Sequence, residues 1–376
     1  MKKIIVVGGG IGGAATALAL SQSGLEPAVY ERTSALREVG AGIALWANAT
    51  HILKQLGLLE AAIQVGCLTT NYQFNSQRGK LLVNIPLDTS EFPVVGIHRA
   101  ALHQLLWHPV SSGTLHLGET FERFEPQQNQ VEAHFASGLT VTGDALIGAD
   151  GLRSRVRSAL FGEKLPVYRN FKTWRGLTEW VPTSYQPGYI QEFLGAGKGF
   201  GFMMLGQGKL YWYAAAMAPE AQPDLAVGRK QELTTMYQDW FSAIPELIAA
   251  TDEANILTTD LYDRPPTQPW SQGNVTLLGD AAHPMLPTMG QGACTALEDA
   301  YVVAQCLKEH PDPIAAFQHY EALRFPRTKA IVEQSLRSSK MGELRNPWAI
   351  GVRNALMKTM GSAISQSFRS LHAYRA

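Results

Sequence analysis

The segment IIVVGGGIGGAATALALSQSGLEPAVYE, residues 4–31, decides the fold that this sequence is expected to adopt. Its first four residues form a continuous apolar run, which indicates a parallel strand buried on both faces. Residues 11–23 are rich in Ala and Leu and are followed by Gly24, so they favour a helix with a glycine C-cap. A second strand is predicted at 27–30, and the segment therefore indicates a βαβ unit that opens an α/β fold.

A glycine loop joins the first strand to this helix. Gly8, Gly10 and Gly13 fit the pattern G-x-G-x-x-G, with Gly12 inside it. The first glycine allows a tight turn, the second lets a pyrophosphate approach the backbone, and the third lets the helix pack against the strand. Glu31 ends the second strand, where a carboxylate accepts hydrogen bonds from a ribose diol and disfavours a 2′-phosphate. The loop predicts a bound dinucleotide and leaves NAD and FAD both open.

The hydrophobic pattern of the remaining chain alternates between helical and strand-like segments. Helices are predicted at 47–65, 98–107, 229–250, 290–308 and 312–340, with a helical tail after them. Four short strands are predicted between 114 and 148. Over 167–216, aromatic and β-branched residues alternate, which predicts a separate and largely antiparallel sheet.

These segments predict two domains. We expect a discontinuous nucleotide-binding domain over 1–68, 97–166 and 266–376, which includes the C-terminal helices. The inserted sheet domain is expected over 69–96 and 167–265.

Composition excludes several classes of protein. Lys plus Arg and Asp plus Glu each number 32 in 376 residues, and this balance argues against a nucleic-acid or anionic-membrane partner. The sequence has no apolar run of about 18 residues, so no membrane span is expected. The cysteines Cys67, Cys294 and Cys306 include no C-x-x-C pair, which argues against a disulfide framework, a metal site and a dithiol reductase. We expect a cytoplasmic protein that is a monomer or a homodimer.

Two further motifs each end a predicted buried strand. They are GADGLRSRVR at 148–157 and GDAAHP at 279–284, the latter followed by Pro287 and by Gly-Gln-Gly at 290–292. With the glycine loop, and in this order and spacing, they resemble the motifs of the single-component FAD-dependent aromatic hydroxylases. These are the para-hydroxybenzoate hydroxylase-like flavoprotein monooxygenases, and the sequence most resembles their salicylate, 3-hydroxybenzoate and urate hydroxylase branch. The resemblance implies a Rossmann-like FAD-binding domain with an inserted, largely antiparallel β-sheet substrate domain.

The resemblance also assigns residues to FAD. Glu31 and Arg32 would lie at the adenosine, Arg99 at the phosphates, and the backbone of Phe121 at the adenine. Asp150 matches a motif linked to both FAD and the nicotinamide cofactor, and Asp280 would bind the ribityl hydroxyls. The loop 40–44, with Gly42 and Ala44, matches the segment on which the isoalloxazine rests. A helix N-terminus would face the flavin N1–C2=O and stabilise the negative charge of reduced flavin, and its residues are Gly290, Gln291, Gly292, Ala293 and Cys294.

The activity that the resemblance implies is hydroxylation of a small aromatic or polycyclic substrate with NADH or NADPH and O2, through a C4a-hydroperoxyflavin. The sequence has no second strand–G-x-G-x-x-G–helix unit, so the nicotinamide nucleotide is expected to bind transiently. Arg175 and Pro287 are candidate catalytic residues beside the flavin. Phe202 and Tyr211 are candidates for the substrate pocket, with core packing as the alternative for each, and His283 is interpreted as structural.

Other activities of the same fold stay open at this point. They are epoxidation, modification of an antibiotic, and a flavoprotein reductase that does not use O2. A flavin-dependent halogenase is disfavoured because W-x-W-x-I-P is absent from the sequence. Urate as the substrate is disfavoured because Gly199 and Thr288 stand where the urate enzymes are expected to carry polar substrate-holding residues.

Overall fold

The computed structural model describes residues 1–36, 41–87 and 91–376. The strands, in chain order, are β1 (Lys3–Val7), β2 (Glu26–Glu31), β3 (Gly42–Leu45), β4 (Cys67–Thr69), β5 (Asn71–Ser76), β6 (Leu81–Pro86), β7 (Val94–His98), β8 (Leu115–Leu117), β9 (Phe121–Pro126), β10 (Val131–Phe135), β11 (Thr140–Gly143), β12 (Ala145–Gly148), β13 (Val167–Thr178), β14 (Tyr189–Leu194), β15 (Lys198–Met204), β16 (Leu210–Met217), β17 (Leu257–Asp263) and β18 (Val275–Leu277). The helices are α1 (Ile11–Gln22), α2 (Ala47–Gln55), α3 (Leu59–Val65), α4 (Arg99–Trp107), α5 (Arg155–Phe161), α6 (Arg229–Tyr237), α7 (Ala243–Ala250), α8 (Gly292–Glu309), α9 (Pro313–Gly342), α10 (Pro347–Thr359) and α11 (Gly361–His372).

A parallel sheet with the strand order β18-β12-β1-β2-β8 carries the three sequence motifs. Strands β1, β12 and β18 are direct neighbours, with Val7 opposite Gly148 and Gly148 opposite Leu277. The carboxyl ends of parallel strands meet at one edge of a sheet, where open α/β folds bind their ligands. The glycine loop, the Asp150 motif and the Asp280 motif follow these strands, so one edge of the sheet gathers all three.

A second, seven-stranded sheet has the order β17-β13-β16-β15-β14-β5-β6. Its pairings are antiparallel except for β14 with β5, which is parallel. Side chains alternate between its two faces. One face packs against α6 and α7 to form a separate core that includes Trp174, Phe193, Phe202 and Trp212. The other face carries Tyr211 and the residues beside it, so this sheet has a packed side and a side available for a site.

The predicted elements are present with some differences at their boundaries. The predicted helix at 47–65 is two helices, because Gly57 has a φ of 72° and ends the first of them. Between 114 and 148 the structure has β8 to β12, one strand more than predicted, because β8 has only three residues and a weak pattern. The domain boundary placed between 96 and 97 falls inside β7, which pairs with β3 and β4 in a small sheet of its own.

The C-terminal helices α10 and α11 pack against β6, the edge strand of the seven-stranded sheet. They therefore contact that sheet, although the sequence analysis assigned them to the nucleotide-binding domain. Among the helices of the described residues, none is both long and apolar enough to cross a membrane.

Candidate active site

The glycine loop has one crowded side and one open side. A Cβ on Gly13 would lie 1.8 Å from the carbonyl oxygen of Gly8, and a Cβ on Gly8 would lie 2.5 Å from the carbonyl oxygen of Ala149. These glycines are required because helix and strand backbones touch. A Cβ on Gly10, by contrast, would meet no atom within 4 Å. Open space therefore borders the backbone at the N-terminus of α1, where a diphosphate would be stabilised by free N–H groups and by the helix dipole.

Glu31 is tied to the glycine loop. Its carboxylate accepts hydrogen bonds from the backbone N–H of Gly9 at 2.7 Å and of Thr33 at 2.9 Å. Each carboxylate oxygen keeps capacity for a second donor, which is compatible with a ribose hydroxyl. A second support, to which no sequence pattern pointed, lies on the other side of the loop, where His103 Nε2 lies 2.6 Å from the Gly9 carbonyl oxygen.

The other two residues predicted at the adenosine or its adenine, Arg32 and Phe121, have different environments. Arg32 is exposed beside Glu31. Phe121 starts β9 with its side chain buried against Phe135, and its carbonyl oxygen accepts a hydrogen bond from Arg155 Nη1 at 3.2 Å.

Asp150 caps helix α5 and retains an unpaired oxygen. Its Oδ2 accepts hydrogen bonds from the backbone N–H of Arg155 at 2.7 Å and of Val156 at 3.2 Å. Its Oδ1 is buried without a hydrogen-bond partner among the described residues. Burial raises the pKa of Asp150, while Ser154 and the backbone N–H groups at the start of α5 oppose the rise. A buried, unpaired acceptor costs free energy, so this oxygen suits a donor on a bound ligand.

Three charged residues face a common space at this edge of the sheet. Asp280 follows Gly279, whose φ is 60°, and it is accessible to solvent although protein surrounds it closely. This burial raises the pKa of Asp280, and the charges of His283 and Arg99 lower it. Arg99 begins α4, and its pKa is lowered by burial and by the charge of Arg175, while Asp280 raises it. Arg99 therefore interacts electrostatically with both Arg175 and Asp280, and we call the space beside these three residues the cleft.

Helix α8 packs against the Asp280 motif, since a Cβ on Gly279 would lie 3.3 Å from Cβ of Ala296. Gly290 has a φ of 61°, and a Cβ on it would lie 2.7 Å from Nε1 of Trp46. A Cβ on Gly292 would meet no atom within 4 Å, so the backbone of the first turn borders open space. Ala293, the next residue, is partly buried. Free backbone N–H groups at this end of a helix stabilise negative charge.

Strand β3 connects this helix end to the seven-stranded sheet. Sγ of Cys294 lies 3.6 Å from the carbonyl oxygen of Ala44, and burial raises the pKa of this thiol to about 12. A Cβ on Gly42 would lie 2.5 Å from the ring of Tyr211, so only a glycine allows that contact. The loop predicted to carry the isoalloxazine thus touches α8 on one side and Tyr211 on the other. Gly40 of the same predicted loop lies outside the described residues.

A buried ionic network supports this edge and was missed by the sequence analysis. His283 Nε2 lies 2.5 Å from Asp299 Oδ2, which also accepts the backbone N–H of Gly279 at 3.1 Å. Arg324 Nε donates to Asp299 Oδ1 at 2.6 Å, and Arg324 Nη2 lies 2.6 Å from Glu298 Oε2. Burial alone would raise the pKa of Asp299, but His283 and Arg324 outweigh it and lower the pKa to about 2. This geometry agrees with a structural role for His283.

The network continues to the start of α8. Glu298 accepts hydrogen bonds from Nδ2 of Asn48 at 2.6 Å and from two nitrogens of Arg327, each at 2.7 Å. The same Nδ2 of Asn48 donates to Oε1 of Gln291 at 2.9 Å. The side chain of Gln291 therefore points into the protein, and only its backbone is available to the cleft. The sequence signal was the pair Glu298-Asp299 inside an otherwise apolar helix, where acidic residues need partners.

The open face of the seven-stranded sheet carries a row of four residues in register. Glu192 is opposite Gly201, Gly201 is opposite Tyr213, and Tyr213 is opposite Arg175. Arg175 Nη2 donates to Thr259 Oγ1 at 2.7 Å, and its Nε is buried without a hydrogen-bond partner among the described residues.

Tyr72, Tyr213 and Glu192 form a cluster within this face. The hydroxyl of Tyr72 donates to Glu192 Oε2, and that of Tyr213 lies 3.4 Å from the same oxygen. Burial raises the pKa of Glu192, and hydrogen bonds from the two tyrosines oppose the rise. The pKa values of both tyrosines are raised well above the ordinary range, first by burial and then by the Glu192 charge, so both hydroxyls stay protonated. No sequence pattern pointed to this cluster.

The predicted substrate and catalytic residues are placed as follows. Tyr211 is buried on the open face against Gly42. Phe202 lies on the opposite face, fully buried and stacked on Phe193 at a centroid distance of 5.5 Å. Its predicted contact with substrate does not fit this position, because the residues of one strand alternate between the two faces of the sheet. Pro287 is exposed at the start of a 3-10 turn.

The comparisons agree with this geometry. An aurachin C monooxygenase/isomerase from Stigmatella aurantiaca is 38% identical over 363 residues, covering 96% of this chain and 94% of the relative. A chloroplastic zeaxanthin epoxidase from Solanum lycopersicum is 34% identical over 88% of this chain, and this chain spans 53% of that protein. The structure of Klebsiella pneumoniae HpxO with FAD and uric acid superposes with a TM-score of 0.92 at 26% identity, over 99% of this chain and 97% of that one.

The fold and the comparisons define an FAD-dependent monooxygenase that uses NAD(P)H as its electron donor. The chain belongs to the FAD binding domain family, whose model matches residues 1–335. The predicted resemblance to the aromatic hydroxylase branch, the α/β fold with its second sheet and the FAD cofactor are confirmed.

Proposed function

We propose that this enzyme inserts oxygen into an electron-rich aromatic compound that carries an O–H or N–H donor, and that Glu192 binds this donor. The supporting observation is the carboxylate of Glu192 on the open face of the sheet, in register with Arg175. A buried carboxylate with two hydroxyl donors keeps free lone pairs, and a third donor from a ligand would occupy one of them. An apolar ligand would desolvate this carboxylate further without adding a donor to the two tyrosine hydroxyls, which is unfavourable.

Bound FAD, once reduced by NAD(P)H, supplies the chemistry that activates O2. We assign its diphosphate to the glycine loop (Gly8, Gly10, Gly12, Gly13) and Arg99, and its ribose to Glu31. Asp280 would hold its ribityl hydroxyls and Asp150 a further hydroxyl donor. The free N–H groups at 290–293 would stabilise negative charge on the reduced ring. These roles are supported by the open space beside Gly10 and Gly292 and by the unpaired Oδ1 of Asp150.

In the substrate pocket, Tyr211 would form one wall, between the segment at Gly42 and the seven-stranded sheet. Arg175 would direct its buried Nε toward the ring that reacts, because this donor has no partner among the described residues. Glu192 would fix the opposite end of the substrate. A substrate held at both ends keeps one ring carbon facing the cofactor, and orientation of this kind accounts for much of the rate gain in such sites.

The test is a substrate panel with the FAD-loaded enzyme. Phenols and bicyclic N–H heteroaromatics are compared with their O-methyl and N-methyl analogues by NAD(P)H oxidation, O2 uptake and product mass. We expect the unmethylated substrates to give products that contain one additional oxygen atom. For the methylated analogues we expect at least about tenfold lower kcat/KM, since a hydrogen bond to a charged group contributes about 1.5–3 kcal/mol. Equal turnover of both series would contradict the role of Glu192 and leave the monooxygenase class untouched.

Epoxidation of an olefin is the second candidate, favoured by the identity with zeaxanthin epoxidase. An olefin without an O–H or N–H group offers no donor to Glu192, so epoxidation of such a compound should be indifferent to Glu192→Gln. Product analysis separates the two, because an epoxide is formed at an aliphatic double bond and a hydroxylated product at the ring.

We also infer that the enzyme works in the cytoplasm, as a monomer or a homodimer. Cys67, Cys294 and Cys306 are free thiols, which fits a reducing compartment.

A further inference from the structure

Helix α10 presents an apolar face to solvent. Its outward positions recur at helical spacing, and four of them are large apolar side chains: Trp348 is 86% exposed, Val352 58%, Leu356 52% and Met360, directly after the helix, 51%. The remaining outward positions at 351, 355 and 359 are Gly, Ala and Thr. A helix on the surface of a globular protein normally places polar residues outward, so this α10 outer face is unusual.

The inward side of the same helix is well packed. Arg353 and Met357 are buried. Arg353 Nη1 donates to the carbonyl oxygens of Met341 at 3.2 Å and Gly195 at 3.4 Å, and these bonds fix α10 to the end of β14. Helix α10 therefore already has a buried face that packs against the protein, and its outward apolar residues form a second, separate face. Helix α11 provides a comparison, because its outward residues at 362, 366, 367 and 370 are Ser, Gln, Ser and Ser.

Basic residues predominate in the segment that contains α10, although Glu343 lies just before it and Arg353 is buried. From residue 344 to 376 the sequence has five Lys and Arg residues and no Asp or Glu. Arg345 and Lys358 are exposed at the two ends of α10, and Lys340 is exposed in the last turn of α9. Lys358 also lies against Lys80, and its pKa is lowered by partial loss of hydration and by the Lys80 charge. Neighbouring ammonium groups on a surface favour the binding of an anion.

We propose that the α10 outer face docks on the surface of an anionic phospholipid bilayer. An interfacial helix lies in the plane of the membrane with apolar residues in the headgroup boundary and basic residues toward the phosphates. Trp348 is the residue type favoured at that boundary. The whole-chain charge balance, which argued against an anionic membrane, averages over this local basic segment. A second copy of the chain would be a less favourable partner for this face, because the basic residues beside α10 of the two copies would repel each other.

This docking is independent of the proposed substrate, and its test does not use turnover. The full-length, FAD-loaded protein is floated with vesicles of phosphatidylcholine and phosphatidylglycerol, and with vesicles of phosphatidylcholine alone. We expect binding to the mixed vesicles and much weaker binding to the neutral ones. Binding should also fall when NaCl is raised to about 0.5 M, because salt screens surface charges.

Variants then locate the contact. Trp348→Gln and Leu356→Gln should each lower the partition coefficient by about tenfold, since each removes a large apolar side chain from the boundary. Lys358→Glu should lower it by about fivefold or more on the mixed vesicles only. The matched control is Leu165→Gln, an exposed apolar residue outside α10 with 79% exposure, which should have no effect. Unchanged flavin absorbance and melting temperature show that each variant is folded.

Three outcomes would overturn the proposal. The first is wild-type protein that fails to float with the mixed vesicles. The second is binding that the α10 variants leave unchanged. The third is a dimer in sedimentation velocity that Leu356→Gln dissociates, because the α10 outer face would then be covered by a second copy of the chain.

Discussion

The ring of Tyr213 lies across Gly201, where a Cβ would be only 2.3 Å from Tyr213 Cζ. The two residues are opposite each other on β16 and β15, and Glu192 is the next residue in the same row. The missing side chain at Gly201 therefore lets the Tyr213 hydroxyl reach Glu192 Oε2 at 3.4 Å.

Gly201→Ala should push this ring aside and remove the Tyr213–Glu192 contact. We expect about tenfold lower kcat/KM for a donor substrate, consistent with the loss of one hydrogen bond to a charged group. Steady-state kinetics measure this, and Gly201→Ala combined with Tyr213→Phe should be no worse than Gly201→Ala alone. Gly113→Ala is the control, because its Cβ would meet no atom within 4 Å. Additive losses in the double variant would contradict the prediction.

Glu192→Gln should change how stability depends on pH. Burial raises the folded-state pKa of Glu192 above its ordinary value of 4.5, and the hydrogen bonds of Tyr72 and Tyr213 only oppose the rise. A carboxyl with a raised pKa contributes stability below its unfolded pKa, and this contribution is lost as pH rises through the folded pKa. The wild type should therefore lose stability above pH 4.5 relative to Glu192→Gln. Melting temperatures between about pH 4 and 8 measure this, and the exposed Glu125→Gln is the control. Melting temperatures of the wild type and of Glu192→Gln that change with pH in parallel would contradict this prediction.

Arg324→Met should destabilise the protein strongly. It leaves the buried carboxylates of Asp299 and Glu298 without the partner that they share, and breaking a buried ion pair costs about 3–5 kcal/mol. Urea unfolding measures this loss. Since Asp299 holds Gly279 N–H and His283, we also expect weaker retention of FAD. Arg337→Met is the control in the same helix, because its pair with Glu333 is exposed and should contribute little. Similar unfolding free energies for the two variants would contradict a large contribution of the buried ion pairs to stability.

The contribution of Asp299 to this network should not change with pH near neutrality. The pKa of Asp299 is lowered to about 2, so its contribution is present above the ordinary value of 3.8 and is lost only as pH falls toward 2.

Gly10→Ala should fold normally and lose FAD. Its Cβ meets no protein atom within 4 Å, so the fold has room for a methyl group that would occupy the place proposed for the diphosphate. Titration of apoprotein with FAD, followed by flavin fluorescence, should show at least about tenfold weaker binding. Gly113→Ala adds a methyl to equally open space away from the loop and is the control. Normal FAD affinity in Gly10→Ala would remove the glycine loop from the proposed site.

Sequence signals were strong where the chemistry is local. The βαβ opening, the glycine loop and the strand ends before Asp150 and Asp280 are each contained in a short segment, and their order and spacing led to FAD and to the aromatic hydroxylase-like fold. Because the carboxyl ends of parallel strands lie at one edge of a sheet, the fold itself brings these segments together. Phe202 shows the limit of this reasoning. Aromatic alternation correctly indicated a sheet but did not tell which face meets the cofactor.

By itself, therefore, the sequence determined the nucleotide-binding half, and its resemblance to the aromatic hydroxylases indicated FAD and a monooxygenase. Tertiary structure alone decided which residues of the second sheet face the flavin site, since that depends on pairing between strands far apart in the chain. It also created the cluster at Glu192, which joins β5, β14 and β16, and the ion pair of Asp299 with Arg324, which joins α8 and α9. The basic contact of Lys80 with Lys358 arose in the same way. Each needs side chains from separate elements, and packing rather than local sequence brings them within reach.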